Sequence, residues 1–345
     1  MADTMNVAVV LGGTNEERNV SLATGRAVVA ALRERGHIVV AADPAHGAVP
    51  PEEEGRMLGG AVGADPPGLD ELARLGSSSV GAALADLPAI RRADVVFLAL
   101  HGEGGEDGTI QGLLDLADVA YTGSGCLGSA IAFDKRISKE LLVHAGVSTP
   151  AWTPAAAASP EIVETLGLPL VVKPSSGGST VGLTVVRSPP ELEPAMELAA
   201  LYDVDVLCEA FVPGRELTVA VLSGEALPPV EIIPSHEIYD YECKYTAGMS
   251  RYEAPADLPP GETARLQDLA VRAYRALRQS SYSRIDFKRA DDGSFWCLEA
   301  NSLPGLTSTS LVPKAAAAAG IEFPELCERI ARSAILEPAV GPEDD

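Results

Sequence analysis

The chain has 345 residues, 46% of them hydrophobic, which is enough for the cores of two or three domains and too apolar for a disordered chain. Its 26 basic residues stand against 49 acidic ones, a formal charge of -23, which argues against a general nucleic-acid or anionic-membrane surface and requires any bound phosphate to be held locally. Five cysteines, Cys126, Cys208, Cys243, Cys297 and Cys327, are scattered singly without a C-x-x-C pair, so neither a disulfide framework nor a zinc site is indicated.

The N-terminal apolar run is short and lacks a basic flank, and no stretch reaches membrane-span length, so a cytoplasmic protein is expected. Asn6 to Leu11 reads as a buried parallel strand, followed by Gly12, Gly13 and Thr14. A helix over 21–35 with Ser21 as N-cap comes next, then a second strand over 38–42. This order predicts a doubly wound parallel sheet with its ligand side at the glycine loop. The dinucleotide glycine pattern is missing. Glu17 in that loop could hold an ammonium group, although a loop glutamate is more often merely solvated. Residues 45–79, rich in Pro, Gly, Ala and Glu, contain no convincing strand and read as an insertion.

Asp94 to Leu100 returns as a buried strand ending in HGEGGEDG, where glycines let backbone approach a ligand at a strand's carboxyl end. His101 there fits a structural and a functional role equally. A helix over 134–145 carries Lys135 and Lys139, and residues 149–160 have the composition of a domain junction. The strand LPLVVK then feeds PSSGGSTVG, a Ser/Gly loop whose N–H groups and hydroxyls suit phosphate oxygens, with Lys173 supplying positive charge. It is not a Walker A loop, and alone it fits a flexible turn as well. Segments 204–212, 216–222 and 230–233 alternate as an antiparallel meander, with Glu209 near the end of the first. Residues 236–252 form a polar, aromatic loop, a potential lid in which Lys244 and Tyr245 are donors.

An amphipathic helix over 263–279 precedes the stretch SRIDFKRADDGSFWCLEANSLPGLTSTSL. Two strands around Asp291, Asp292 and Gly293 would put Asp286 and Glu299 on one face, with Asn301 one step along. Two carboxylates and an amide oxygen suit Mg2+. Arg284 could face the reacting end of a substrate, and a hairpin with an exposed acidic face remains the alternative. A helix through 315–319, a last helix over 323–335 and an acidic tail over 337–345, expected to be disordered, complete the chain.

In order, LGGTNEERNVS, ALHGEGGEDGTIQG, YTGSG, DKRISK, VVKPSSGGSTVGL, YDYECKY, SRIDF and LEANSLPGLTSTSLVP resemble the motifs of the D-alanine–D-alanine ligases of the ATP-grasp superfamily, from about Asn6 to Ile335. The resemblance implies an N-terminal doubly wound parallel-sheet domain over 1–133 and a two-lobed ATP-grasp unit, α/β followed by α+β, over 134–214 and 215–336. It implies that Lys135 and Lys173 meet the ATP phosphates, Glu209 the adenine amino group and Glu216 the ribose. Phe211, Val212 and Leu298 would complete the nucleotide site. Asp286, Glu299 and Asn301 would hold two Mg2+ ions, with Mn2+ as an alternative. Glu17, Ser179 and Tyr245 would form a trio joining lid to phosphate loop, and Arg284 with the Gly305 N–H would meet the oxyanion. Val20, Ser21 and His101 would shape the first D-alanine subsite, and Ser310, Leu311 and Lys244 would receive the carboxylate of the second.

A homodimer, and a role in peptidoglycan precursor synthesis, are implied in the same way. The sequence departs from common family residues at Ala210, in place of a frequent lysine, which would leave adenine there to backbone and packing contacts alone, and at Thr180 and Ser283, neither of which removes a group the chemistry needs. Retention of the Lys244–Tyr245 pair favours an amine over a hydroxyl nucleophile. Ligation of D-alanine to D-serine or another specialised dipeptide stays open as an alternative. A non-catalytic nucleotide-binding protein is disfavoured because the metal ligands and Arg284 are all kept.

Overall fold

A computed structural model of the chain describes residues 3–59, 67–155, 159–178, 180–246 and 248–336. The first sheet contains β1 (Asn6–Val10), β2 (Ile38–Asp43), β3 (Gly47–Val49) and β4 (Val95–Leu98) in the order β3-β2-β1-β4. β1 pairs in parallel with both β2 and β4, while β3 is antiparallel to β2. Parallel strands carry near-continuous apolar runs because both faces are covered, as in β4, where all four residues are buried. The chain leaves β1 towards β2 on one side and reaches β4 on the other. A crevice therefore opens beyond their carboxyl ends, at Gly12 and His101.

Two expectations for this region are corrected. The first helix runs over Arg18–Glu34, not from Ser21, and its N-cap residue Glu17 makes no side-chain cap bond. Ser21 instead lies wholly buried inside it, its Oγ accepting from Gly12 N and donating to Ala99 O, both at 2.7 Å, so it fastens the loop after β1 to the end of β4. The segment 45–79 is also more ordered than its composition suggests. It holds β3 and the helices Pro51–Met57 and Leu69–Ser78, while 60–66 lie outside the described residues. A three-residue strand is too short to show alternation, and three glutamates in the first turn of Pro51–Met57 suit the helix dipole.

The second sheet is antiparallel: β5 (Trp152–Pro154), β6 (Leu170–Pro174), β7 (Thr184–Val186) and β8 (Val206–Ala210), ordered β5-β8-β6-β7. It has its own small core, including Ile162, Leu170, Val172, Leu192 and Cys208. The third holds β9 (Arg215–Leu222), β10 (Glu225–Ala226), β11 (Val230–Pro234), β12 (Ser250–Glu253), β13 (Tyr282–Arg289) and β14 (Phe295–Asn301). Its main path is β12-β11-β9-β13-β14. The helix Pro260–Ala276 covers one face through Leu266, Ala270 and Ala273, against Leu217, Val219, Ile285 and Phe287. The expected lid is not wholly a loop, since the short helix Tyr241–Tyr245 and β12 lie within it. The tail 337–345 lies outside the described residues.

The two ends of the chain meet. Residues of the helices Leu311–Ala318 and Phe323–Leu336 share one core with β1, β4 and the helix Arg18–Glu34, and Arg35 Nε meets Glu328 Oε2 at 2.6 Å. The helix Cys126–Phe133 presses equally closely on the third domain segment: a Cβ on Gly128 would stand 2.3 Å from Arg278 O. Gly128→Ala should therefore lower stability by about 1–3 kcal/mol through overpacking, read as a shifted urea midpoint with an unchanged slope.

Candidate active site

An open cleft of about 960 Å³ lies between the second and third sheets. Lys135, Lys173, Glu209, Phe211, Val212, Glu216 and Leu298, all the residues expected at a nucleotide, line it. Glu209, on β8, is almost fully buried, with Lys173 and Lys139 each 2.8 Å from one of its carboxylate oxygens. Burial alone would raise its pKa, but the two ammonium groups hold it below the usual carboxylate value. Lys139, whose tie to Glu209 the sequence did not indicate, stands behind the cleft lining. It is wholly buried, also donates to Thr149 Oγ1 at 2.7 Å, and burial lowers its pKa. At the cleft's other end, Glu216 on β9 pairs across the strands with Lys288 on β13 at 2.8 Å.

The hairpin of β13 and β14 forms as expected. Asp286 stands directly opposite Glu299, and Arg284 opposite Asn301, before a bulge shifts the register beyond Asp286. Asp286 accepts from Thr218 Oγ1 at 2.6 Å, from Arg284 Nε and Nη2 at 2.9 and 2.8 Å, and from Asn301 Nδ2 at 3.1 Å. Glu299 lies 3.5 Å from Lys135 Nζ. Burial would raise the Glu299 pKa, yet Lys135, Lys244, Lys173 and Arg284 bring it down to about 2. Two carboxylates and an amide that can turn its oxygen inward are a donor set fitted to a hard divalent cation, and here their charge is met by lysine and arginine.

A second cavity, about 1290 Å³, lies beyond the ends of β1 and β4 and is closed by residues 301–311. Glu17, Val20, His101, Gly305, Ser310 and Leu311 line it, whereas Ser21 does not. It shares Gly178, Tyr239, Lys244 and Arg284 with the first cleft, so the two spaces meet at that group. Glu17 lies against two glycines: a Cβ on Gly102 would come within 2.7 Å of its Oε2, and one on Gly178 within 3.2 Å. Ser310 is the N-cap residue of the helix Leu311–Ala318, whose free N–H groups suit a carboxylate.

Of the expected trio, Ser179 lies outside the described residues and Tyr245 is described only in its backbone, at the end of the lid helix. The lid meets the phosphate loop next to Ser179, where Thr180 Oγ1 donates to Tyr239 O at 3.1 Å. Lys135 Nζ donates to Gly177 O at 2.6 Å and so holds the same loop from below.

His101 Nδ1 lies 2.9 Å from Leu303 O, and its Nε2 lies 2.9 Å from Thr24 Oγ1. A carbonyl only accepts, so Nδ1 carries the proton, and the neutral ring takes the Thr24 hydroxyl hydrogen at Nε2. Glu106 went unnoticed in its motif. It accepts from Gly102 N and Leu303 N at 2.9 and 3.2 Å, and burial, reinforced by the nearby Glu17, pushes its pKa up to about 8. No property of HGEGGEDG signals this, because the packing partner comes from residue 303.

The chain matches the family models "D-ala D-ala ligase N-terminus" over residues 6–124 and "D-ala D-ala ligase C-terminus" over 142–332. It is 43% identical to the D-alanine–D-alanine ligase of Anaeromyxobacter sp. over 335 residues, 96% of this chain and 97% of that one. Against the enzyme of Syntrophotalea carbinolica it is 41% identical over 331 residues, 96% of each. Among solved structures, the Bacillus anthracis ligase complexed with ATP aligns at a TM-score of 0.74 and 29% identity, over 96% of this chain and 98% of that one. The VanG D-Ala:D-Ser ligase of Enterococcus faecalis aligns at 0.78 and 28%, over 96% and 100%.

Burial lowers the His101 pKa from its ordinary 6.5, so the unfolded chain binds this proton more readily than the folded one. The contribution of His101 to stability should be complete above pH 6.5 and fall as the pH drops through its folded value. Nitrogen-15 NMR of the ring should show the Nδ1–H neutral tautomer at pH 7, and a ring half protonated at pH 6.5 or above would contradict this.

Proposed function

The chain belongs to the D-alanine–D-alanine ligase family, and on that premise we propose that it joins two molecules of D-alanine into D-alanyl-D-alanine, converting ATP to ADP and phosphate. The observation that supports this best is the meeting of the nucleotide cleft with the glutamate-lined cavity at Arg284, Lys244 and the Ser/Gly loop. A phosphoryl donor on one side and a carboxylate acceptor on the other would be brought together there.

In the first step a carboxylate oxygen of one D-alanine attacks the γ-phosphorus, the bond to the ADP oxygen breaks, and an acyl phosphate forms. This displacement needs alignment and neutralisation of charge, and Lys135 and Lys173 are placed to supply both. Asp286, Glu299 and Asn301 would hold Mg2+, as two ions, or Mn2+, whose chemistry when bound is to offset the charge of phosphate oxygens. Glu17 holds the ammonium group of the first D-alanine, with Val20 and His101 shaping its subsite.

In the second step the amine of the other D-alanine attacks the acyl carbonyl carbon, an oxyanion develops, the C–O bond breaks with its electron pair leaving on phosphate, and the proton lost by nitrogen passes to solvent or the departing phosphate. Arg284 spends Nε and Nη2 on Asp286 and keeps Nη1 without a hydrogen bond among the described residues. That nitrogen and the Gly305 N–H would meet the oxyanion. Ser310, Leu311 and Lys244 receive the second carboxylate, and the trio of Glu17, Ser179 and Tyr245 orients the amine. Glu209, Glu216, Phe211, Val212 and Leu298 hold adenine and ribose.

The enzyme would work as a homodimer supplying dipeptide for peptidoglycan precursors and the cell wall. Among the described residues no helix is long and apolar enough to cross a membrane. Ligation to D-serine is the weaker reading, because the relatives at 43% and 41% identity are D-alanine–D-alanine ligases, while the solved structures, at 29% for the Bacillus anthracis ligase and 28% for the D-Ala:D-Ser ligase, do not separate the two.

With Mg-ATP and a panel of D-amino and D-hydroxy acids, phosphate release should require D-alanine and yield the dipeptide; release with D-serine alone as second substrate would overturn the assignment. Arg284→Met should lower kcat by roughly 100- to 1000-fold, the usual loss for one oxyanion donor. Glu299→Ala should abolish turnover with the fold intact by circular dichroism, and near-normal turnover would remove Glu299 from the metal site.

A further inference from the structure

The lid carries a ligand set that the ligation chemistry leaves unused. His236, Asp240 and Cys243 each offer one ligand atom, and these nitrogen, oxygen and sulfur atoms all lie within 4.8 Å of one another. The spacings of four and three residues bring them to one side of the turn that opens the helix Tyr241–Tyr245. Asp240 is the cap of that helix and divides its carboxylate. Oδ1 accepts from Cys243 N at 2.9 Å, and Oδ2 accepts from His236 Nδ1 at 2.7 Å.

Each ligand has the setting a metal site asks for. The His236 ring is exposed, so an ion can enter from solvent, while Cys243 is 1% exposed and its sulfur is screened from oxidants in bulk water. Burial raises the Cys243 thiol pKa, opposed in part by backbone N–H groups of Ser235 and His236 that lie against the sulfur, so without an ion the group stays a thiol. Glu242 adds negative potential at His236. The mixed donor set does not suit Mg2+, which takes oxygen, and it sets this cluster apart from the Asp286–Glu299 pair.

We propose that His236, Asp240 and Cys243 form a lid site for one divalent cation of the zinc class, with solvent at the fourth position. On binding, the Cys243 thiol releases its proton to solvent as the metal–sulfur bond forms, and the His236–Asp240 hydrogen bond gives way to two bonds to the ion. The ion then clasps the chain just after β11 to the lid helix. Lys244, the next residue after Cys243, lines both cavities, so occupancy would stiffen the lid where it faces the nucleotide and the amino acids.

Co2+ alone, titrated into metal-free, reduced, full-length protein without nucleotide, tests the site. The expected result is one ion with a sulfur-to-metal charge-transfer band in the near ultraviolet and tetrahedral d–d bands in the visible. Cys243→Ser should remove the near-ultraviolet band, and His236→Gln should weaken binding by at least about tenfold, since even an outer partner of a metal ligand commonly contributes that much. Glu299→Gln should leave the band unchanged, which separates this site from the proposed active centre. Co2+ binding without a sulfur band, or a band that survives Cys243→Ser, would overturn the proposal. Should Cys243→Ser fail to fold, the exposed position 236 decides: a band of undiminished affinity in His236→Gln would equally rule the site out.

Discussion

The proposed active centre depends on one strand pairing. β13 and β14 run antiparallel with Asp286 facing Glu299 and Arg284 facing Asn301, so a single register collects two carboxylates, an amide and a guanidinium on one patch of sheet. A slip of one residue would turn that set to the opposite face, where Ile285, Phe287, Cys297 and Ala300 now pack in the core. The apolar face therefore guards the polar one. β9, paired with β13 over its full length, adds Thr218 beneath Asp286 and Glu216 beside Lys288.

Charge is managed by the same economy of position. In a chain with a formal charge of -23, Lys135, Lys139 and Lys173 are buried against Glu209 and Glu299, which concentrates positive charge beside the cleft where the proposed function needs it. Each buried ammonium is partnered, which is the condition for keeping it charged in a low dielectric. The carboxylates in turn stay ionised because those cations surround them.

Much of this was legible in the sequence where the signal is local. Period-two alternation around Asp291–Gly293 located the hairpin, and the apolar run of 6–11 located β1. The Ser/Gly loop after Lys173 lines the cleft between the second and third sheets. What escaped depends on partners distant in the chain. Lys139 matters because residue 209 lies beside it, and Glu106 because residue 303 does. Ser21 has the chemistry of a helix cap and became a buried tie between strands. Cysteine spacing gave no hint of the lid cluster, since its nitrogen and oxygen donors belong to other residue types. The resemblance to known ligases, rather than spacing, supplied the proposed roles of Ser310 and Leu311.

The joined ends of the chain decide which sheets share a core. With the final helix fastened to the first by a common core and by Arg35–Glu328, the first and third sheets share buried side chains. The second sheet has a core of its own. Lys173 enters the cleft from the second sheet and Asp286 and Glu299 from the third, so any shift between those two sheets would change how far apart these charges stand.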